Sequence, residues 1–321
     1  MTTPKRQFLT MAMLLCAAAC GGQARHETAS RDLCEGRAGV IALADGVDGN
    51  ALFATPAALF TETADALVHY DGTGAPEAIS HLPAGSTIGA VARGDAGVFL
   101  WEIASRTLRV QGDPTPLVEG VRRAWAFEHA LLLDTDANVI FRVPLDTGIA
   151  APLAKVPGPI WSIAANETQL VYSRGKEAEV WRVDLATGET QPIPIADGVG
   201  PIAVALRGDD LVVACPGLGV VQVSSSGTTP LAPLNPLEEV RDLRATKSAV
   251  YVTARANTAA RTLRISDHVS ELWSAGPESD VYPLFAFEQG AAWIGRSDPN
   301  ACQTCADIPD LTPTLYLSCE E

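Results

Sequence analysis

Positive charge is scarce in this sequence: 23 Lys and Arg stand against 38 Asp and Glu, a net charge of −15 over 321 residues. Nucleic acids and anionic membrane surfaces reward clustered Lys and Arg, so neither is expected as a direct partner. An acidic surface of this kind keeps an exported protein soluble. Histidine is scarce too. His26, His69, His81, His129 and His268 are scattered and form no HExxH pair for one helix face. The sequence also lacks a GxSxG nucleophile turn and a glycine loop with the lysine that cradles phosphates. Asp134-Thr135-Asp136-Ala137-Asn138 offers alternating oxygens like the start of a calcium loop, but without the Gly and distant Glu of an EF-hand it reads as a polar hairpin turn. No catalytic residue, metal or cofactor is expected from these patterns.

What is present is a repeat. An apolar pair recurs at Leu59-Phe60, Val98-Phe99, Leu131-Leu132, Leu170-Val171, Leu211-Val212, Val250-Tyr251 and Ala292-Trp293, at intervals of 33 to 42 residues. A period near forty is the mark of a β-propeller. Each pair opens a second strand, and a turn then leads to a third strand of alternating or β-branched character. Val139-Ile140-Phe141-Arg142-Val143 and Val180-Trp181-Arg182-Val183 are examples. Weaker segments close most units, among them Leu117-Val118, Ile193-Pro194-Ile195, Leu231-Ala232 and Leu272-Trp273. Prolines gather there, as suits an outer edge strand, because Pro cannot donate to a ladder. The six tryptophans, Trp101, Trp125, Trp161, Trp181, Trp273 and Trp293, mostly fall on expected strands, where packing between blades accounts for them.

The expected fold is therefore all-β, a seven-bladed propeller, with six or eight blades as the alternatives. Ile41-Ala42-Leu43-Ala44-Asp45-Gly46-Val47 matches Ile193-Pro194-Ile195-Ala196-Asp197-Gly198-Val199, a fourth strand and its turn. The last unit ends at Leu315-Tyr316-Leu317 without a fourth strand of its own. The N-terminal strand is thus predicted to complete the seventh blade. As an antiparallel neighbour of residues 315–319, it would bring Cys34 to Cys319, and a bridge there would fasten the ring. Cys302-Gln303-Thr304-Cys305 would form a second bridge. A zinc or redox site is the competing reading, but a zinc site wants four ligands and thioredoxin chemistry wants a strand-helix context. Cys215, in an apolar run, reads as a buried thiol.

Residues 1–19 read as a signal peptide. Lys5 and Arg6 give a basic start, and the apolar run from Phe8 to Ala19 falls short of the roughly 20 residues that span a bilayer. Ala17-Ala18-Ala19-Cys20 resembles the lipobox of bacterial lipoproteins, although Ala17 stands where Leu is commoner and an ordinary signal-peptidase cut nearby is the alternative. The resemblance implies lipidation at Cys20, a tether over residues 20–38 and a propeller over 39–321. Gly21, where the family has Asp for inner-membrane retention, implies an outer-membrane lipoprotein of a Gram-negative cell, on its periplasmic or surface face.

The hairpins Phe141-Arg142-Val143-Pro144-Leu145-Asp146-Thr147-Gly148 and Trp181-Arg182-Val183-Asp184-Leu185-Ala186-Thr187-Gly188-Glu189 resemble those of the TolB-like, WD-repeat-like and quinoprotein-like propellers of bacterial envelopes. The quinoprotein tryptophan pattern is not repeated, which counts against a quinone cofactor. In such a ring the loops between blades, and those joining second to third strands, crowd one face. Arg122, Arg123 and Trp161 would stand there. So would Glu239, Arg241 and Asp242, with Asp280 and Tyr282. The insertion from Arg296 to Pro313, which carries the CxxC, is expected either to lean over this mouth or to brace the closing blade. The function expected is non-catalytic binding or scaffolding of an envelope protein or glycan by a monomeric ring. The rival is a glycan lyase or hydrolase with its site at the channel mouth.

Overall fold

In a computed structural model the described residues run from 33 to 320, leaving out 46–51, 63–65, 71–75, 82–87, 175–178, 196–201, 298–311 and shorter interruptions at 35, 56–57, 128, 157, 225–226, 257–258, 277–278, 282–283 and 288. All regular structure among them is β, in seven sheets arranged as the blades of a propeller. Blades 1 and 3 to 6 are four-stranded antiparallel meanders. In blade 3, for example, Val121–Ala126, Ala130–Thr135, Val139–Pro144 and Ala151–Lys155 follow one another outward.

Burial falls from the second strand to the fourth. Ala130–Thr135 is buried at every position, whereas Ala151–Lys155 is exposed or half-buried throughout. A second strand has sheet neighbours on both edges and other blades against both faces, so its side chains have no water to meet. Each such Leu or Val contributes roughly 1.5–3 kcal/mol by burial. All seven apolar pairs read from the sequence lie in second strands.

Blade 2 differs from the expected four strands. Its sheet has three, and Leu117-Val118 contributes a single bridge, Leu108 to Val118. The segment leading there is Asp113-Pro114-Thr115-Pro116, and two prolines without N–H donors cannot extend a ladder.

Blade 7 closes the ring as the sequence implied. Gly39–Asp45 runs antiparallel to Thr312–Cys319, with Ile41 opposite Leu317 and Ala42 opposite Tyr316. Cys34 and Cys319 form a disulfide with Cα atoms 5.4 Å apart. Its inner strand is split into Asp280–Val281 and Phe285–Phe287, both paired with Gly290–Ser297. Blades 6 and 7 meet through aromatic rings, with Tyr316 5.9 Å from Trp273 and 5.7 Å from Trp293. Gly295 makes this contact possible, since a Cβ there would lie 2.6 Å from the Trp273 ring. Glu320 adds a polar tie to blade 6 by accepting from the Tyr251 hydroxyl at 2.7 Å and pairing with Arg264 at 3.2 Å. Cys215 is a buried free thiol. Cys20, Cys302 and Cys305 lie outside the described residues.

Candidate functional site

In a meander, the inner strand starts and the second strand ends at the same face of the ring. That face carries the connections between blades and the hairpins between second and third strands. Arg122, Arg123, Glu239, Arg241 and Asp242 all lie in the leading part of inner strands, and Trp161 immediately precedes one, Ser162–Ala165. Asp280 opens Asp280–Val281, and Tyr282 lies outside the described residues.

The charges at this end are answered by neighbours. The Arg122 guanidinium donates to Asp134 at 2.6 Å and to Asn138 at 3.1 Å. The Asp134 side chain is only 1% exposed. It was expected in a turn; instead it sits inside the second strand, and the turn is made by Asp136 and Ala137 with Asn138 at a φ of 57°. Burial pushes the Asp134 carboxyl above the ordinary aspartate value, and the Arg122 guanidinium pulls the other way. Arg123 lies over the Trp161 ring at 5.4 Å and donates to the Ile160 carbonyl at 3.0 Å. Arg241 pairs with Glu239 at 3.2 Å. Asp242 turns away from the face, pairing with Arg244 at 3.3 Å and accepting from the Leu284 amide at 3.2 Å.

Apolar side chains, by contrast, are displayed at this end. Of the six large hydrophobic residues exposed among those described, Ile103, Trp161 and Leu237 stand in its connections, with Leu237 83% exposed. Each occupies a braced turn. The Leu237 amide donates to Asn235 Oδ1, the Asn235 amide donates to Glu238, and Arg261 grips the nearly buried Glu238 with two bonds of 2.6 and 2.7 Å. Beside Ile103, Glu102 accepts from both Arg109 and Ser105. Ile103 and Leu237 were missing from the sequence-based face. An apolar residue flanked by turn formers, as in Asn235-Pro236-Leu237-Glu238, was the available signal.

At the far ends of the inner strands, where they turn into second strands, lies a cavity of about 490 Å³ lined by blades 3 to 7. Ala126, Leu132, Ile163, Val204, Ala205 and Leu243 supply apolar wall. Arg244 lies over the rings of Phe127 and Phe285 at 5.4 and 5.6 Å. Arg142, His129, Lys247 and Glu167 are its other charged or titratable lining groups among the described residues. No group of three or more His, Cys, Asp or Glu side chains suited to a metal occurs among the described residues.

No family model matches the sequence, and no curated protein matches it. Solved structures do. A chain of the Mitotic Checkpoint Complex superposes with a TM-score of 0.57 at 11% identity, covering 86% of this chain and 93% of that one. YCF48 from Cyanidioschyzon merolae gives 0.57 at 10%, covering 88% and 98%. YCF48 bound to D1 peptide gives 0.55 at 12%, covering 88% and 94%. At these identities the likeness is one of fold.

Proposed function

We propose that this protein is a non-catalytic binding or scaffolding propeller of a Gram-negative envelope. In this reading residues 1–19 are removed, Cys20 is lipidated at the outer membrane, and residues 20–38 tether a monomeric ring whose partner is an envelope protein or glycan. The partner meets the face that carries Arg122, Arg123, Trp161, Glu239, Arg241, Asp280 and Tyr282, with Asp242 supporting it from within.

The observation that supports this most is the display of Ile103, Trp161 and Leu237 on turns held by ion pairs and hydrogen bonds. Exposed apolar groups on rigid supports lose little conformational entropy on binding, and Trp and Arg are among the residues enriched at interface hot spots. A propeller of the same fold holds a peptide in the structure of YCF48 bound to D1 peptide, so the architecture suits such a partner. The lipobox resemblance and the Cys34–Cys319 disulfide, which needs an oxidising compartment, support the placement in the envelope.

A photo-crosslinking residue at Leu237 or Trp161 in intact cells tests the face. The expected result is one discrete adduct with an envelope component from either position and none from Ile149, which is 69% exposed at the opposite end. Equal adducts from all three, or none at all, would remove the partner face. Labelling with radioactive palmitate, lost in Cys20→Ala, tests the anchor separately.

A further inference from the structure

The cavity at the opposite end joins apolar wall to one guanidinium that the fold leaves unanswered. Arg244 has Asp242 at 3.3 Å and two aromatic faces. Arg142 lines the same cavity, half-buried on the third strand of blade 3 opposite Leu132, and has no hydrogen bond or ion pair among the described residues. A half-buried charge without a counter-ion is costly to keep, because water solvates it only in part. Within a volume of about 490 Å³, the size range of small-molecule sites, apolar walls and one placed charge are the features that orient a ligand.

We propose that this cavity binds a small organic monocarboxylate with an aromatic or aliphatic body, its carboxylate paired with Arg142 and its body against Leu132, Ile163, Val204 and Leu243. The acids nearby set the ligand charge. Glu167 belongs to the lining, and Asp209 lies beside it and accepts from Asn166 at 3.0 Å. One carboxylate matches one free guanidinium, whereas a second would face these acids. The site is independent of the partner face, since its lining comes from the other ends of the inner strands.

Titration calorimetry of the purified full-length chain with naphthoate, its neutral amide and naphthalene dicarboxylate tests this. Naphthoate is expected to bind one per chain, more tightly than either comparison compound. Arg142→Gln should weaken naphthoate by roughly tenfold, the loss of one charge-assisted contact, and leave the amide unchanged. Ala165→Phe, which narrows the cavity without altering charge, should weaken acid and amide together and keeps the test valid if Arg142→Gln misfolds. Equal binding of acid and amide, tighter binding of the dicarboxylate, an Arg142→Gln variant that binds naphthoate normally, or no binding of naphthoate would each overturn the proposal.

Discussion

The two ends of the ring use the same strand modules and treat charge in opposite ways. Where the blades are joined to one another, Arg122 meets Asp134, Arg241 meets Glu239 and Arg261 meets Glu238, while Trp161 and Leu237 are left to solvent. Where inner strands turn into second strands, apolar side chains are folded into a cavity wall and Arg142 has no hydrogen bond or ion pair among the described residues. The first arrangement fixes a surface by satisfying its ions. The second leaves a cavity in which one guanidinium is unpaired among the described residues. A rigid display suits a macromolecular surface, and a concave pocket suits a small molecule.

Removing the closing bridge by Cys34→Ala with Cys319→Ala should be the largest change and should act on both ends alike. On the chain-entropy model the loop between the cysteines is long enough to cost roughly 4 kcal/mol. Urea unfolding should show that loss, with crosslinking from Trp161 and binding of naphthoate unchanged below the transition.

Asp134→Ala should strike one end only. It leaves Arg122 without its carboxylate, and because that guanidinium is 23% exposed the loss should be about 2–3 kcal/mol, less than for a fully buried pair. The pH dependence carries a sign. Burial raises the folded-state value of Asp134, so its contribution to stability is complete below about pH 4, the ordinary aspartate value, and is lost as pH rises through the raised one. Asp134→Asn should flatten that part of the stability profile, measured by urea unfolding at a series of pH values.

Trp161→Ala should weaken the partner by about 2 kcal/mol, roughly thirtyfold, while stability moves by less than about 0.5 kcal/mol. The smallest effect is the sharpest contrast. Arg142→Gln should raise stability slightly, by less than about 0.5 kcal/mol, because it strands no partner among the described residues and removes a half-buried charge. Arg122→Gln should cost several times more, because it strands Asp134. Parallel urea curves of the two glutamine variants would show whether the ends differ as described.

The ring itself was legible because second strands are buried on both faces and so must be apolar wherever they occur. Leu131-Leu132 and Leu170-Val171 announce themselves for that reason. Closure was legible because Ile41 and Ile193 begin the same short text and the last unit lacked a strand. The bridge from Cys34 to Cys319 follows from that pairing. The incomplete ladder of blade 2 could have been read from Pro114 and Pro116. Asp134 could not, because Asp-Thr-Asp-Ala-Asn forms a turn whichever way its first side chain faces. The cavity was hidden for another reason. Its lining is drawn from five blades between Ala126 and Phe287, and Arg142 looks in the sequence like any polar residue on a third strand. Meander geometry places Arg122, Arg123, Trp161, Glu239 and Arg241 by their position in or before an inner strand and says nothing of the ion pairs and cation–π contact they form.

The disulfide joins the residue at which the chain enters the ring to the last strand that builds it. Tension arriving from residues ahead of Leu33 therefore reaches Cys34 and passes at once into Cys319, bypassing the hydrogen bonds between Gly39–Asp45 and its neighbour. Without the covalent link, the same pull would peel that outermost strand away one pair at a time. With it, both strands must shear together against the rest of the blade.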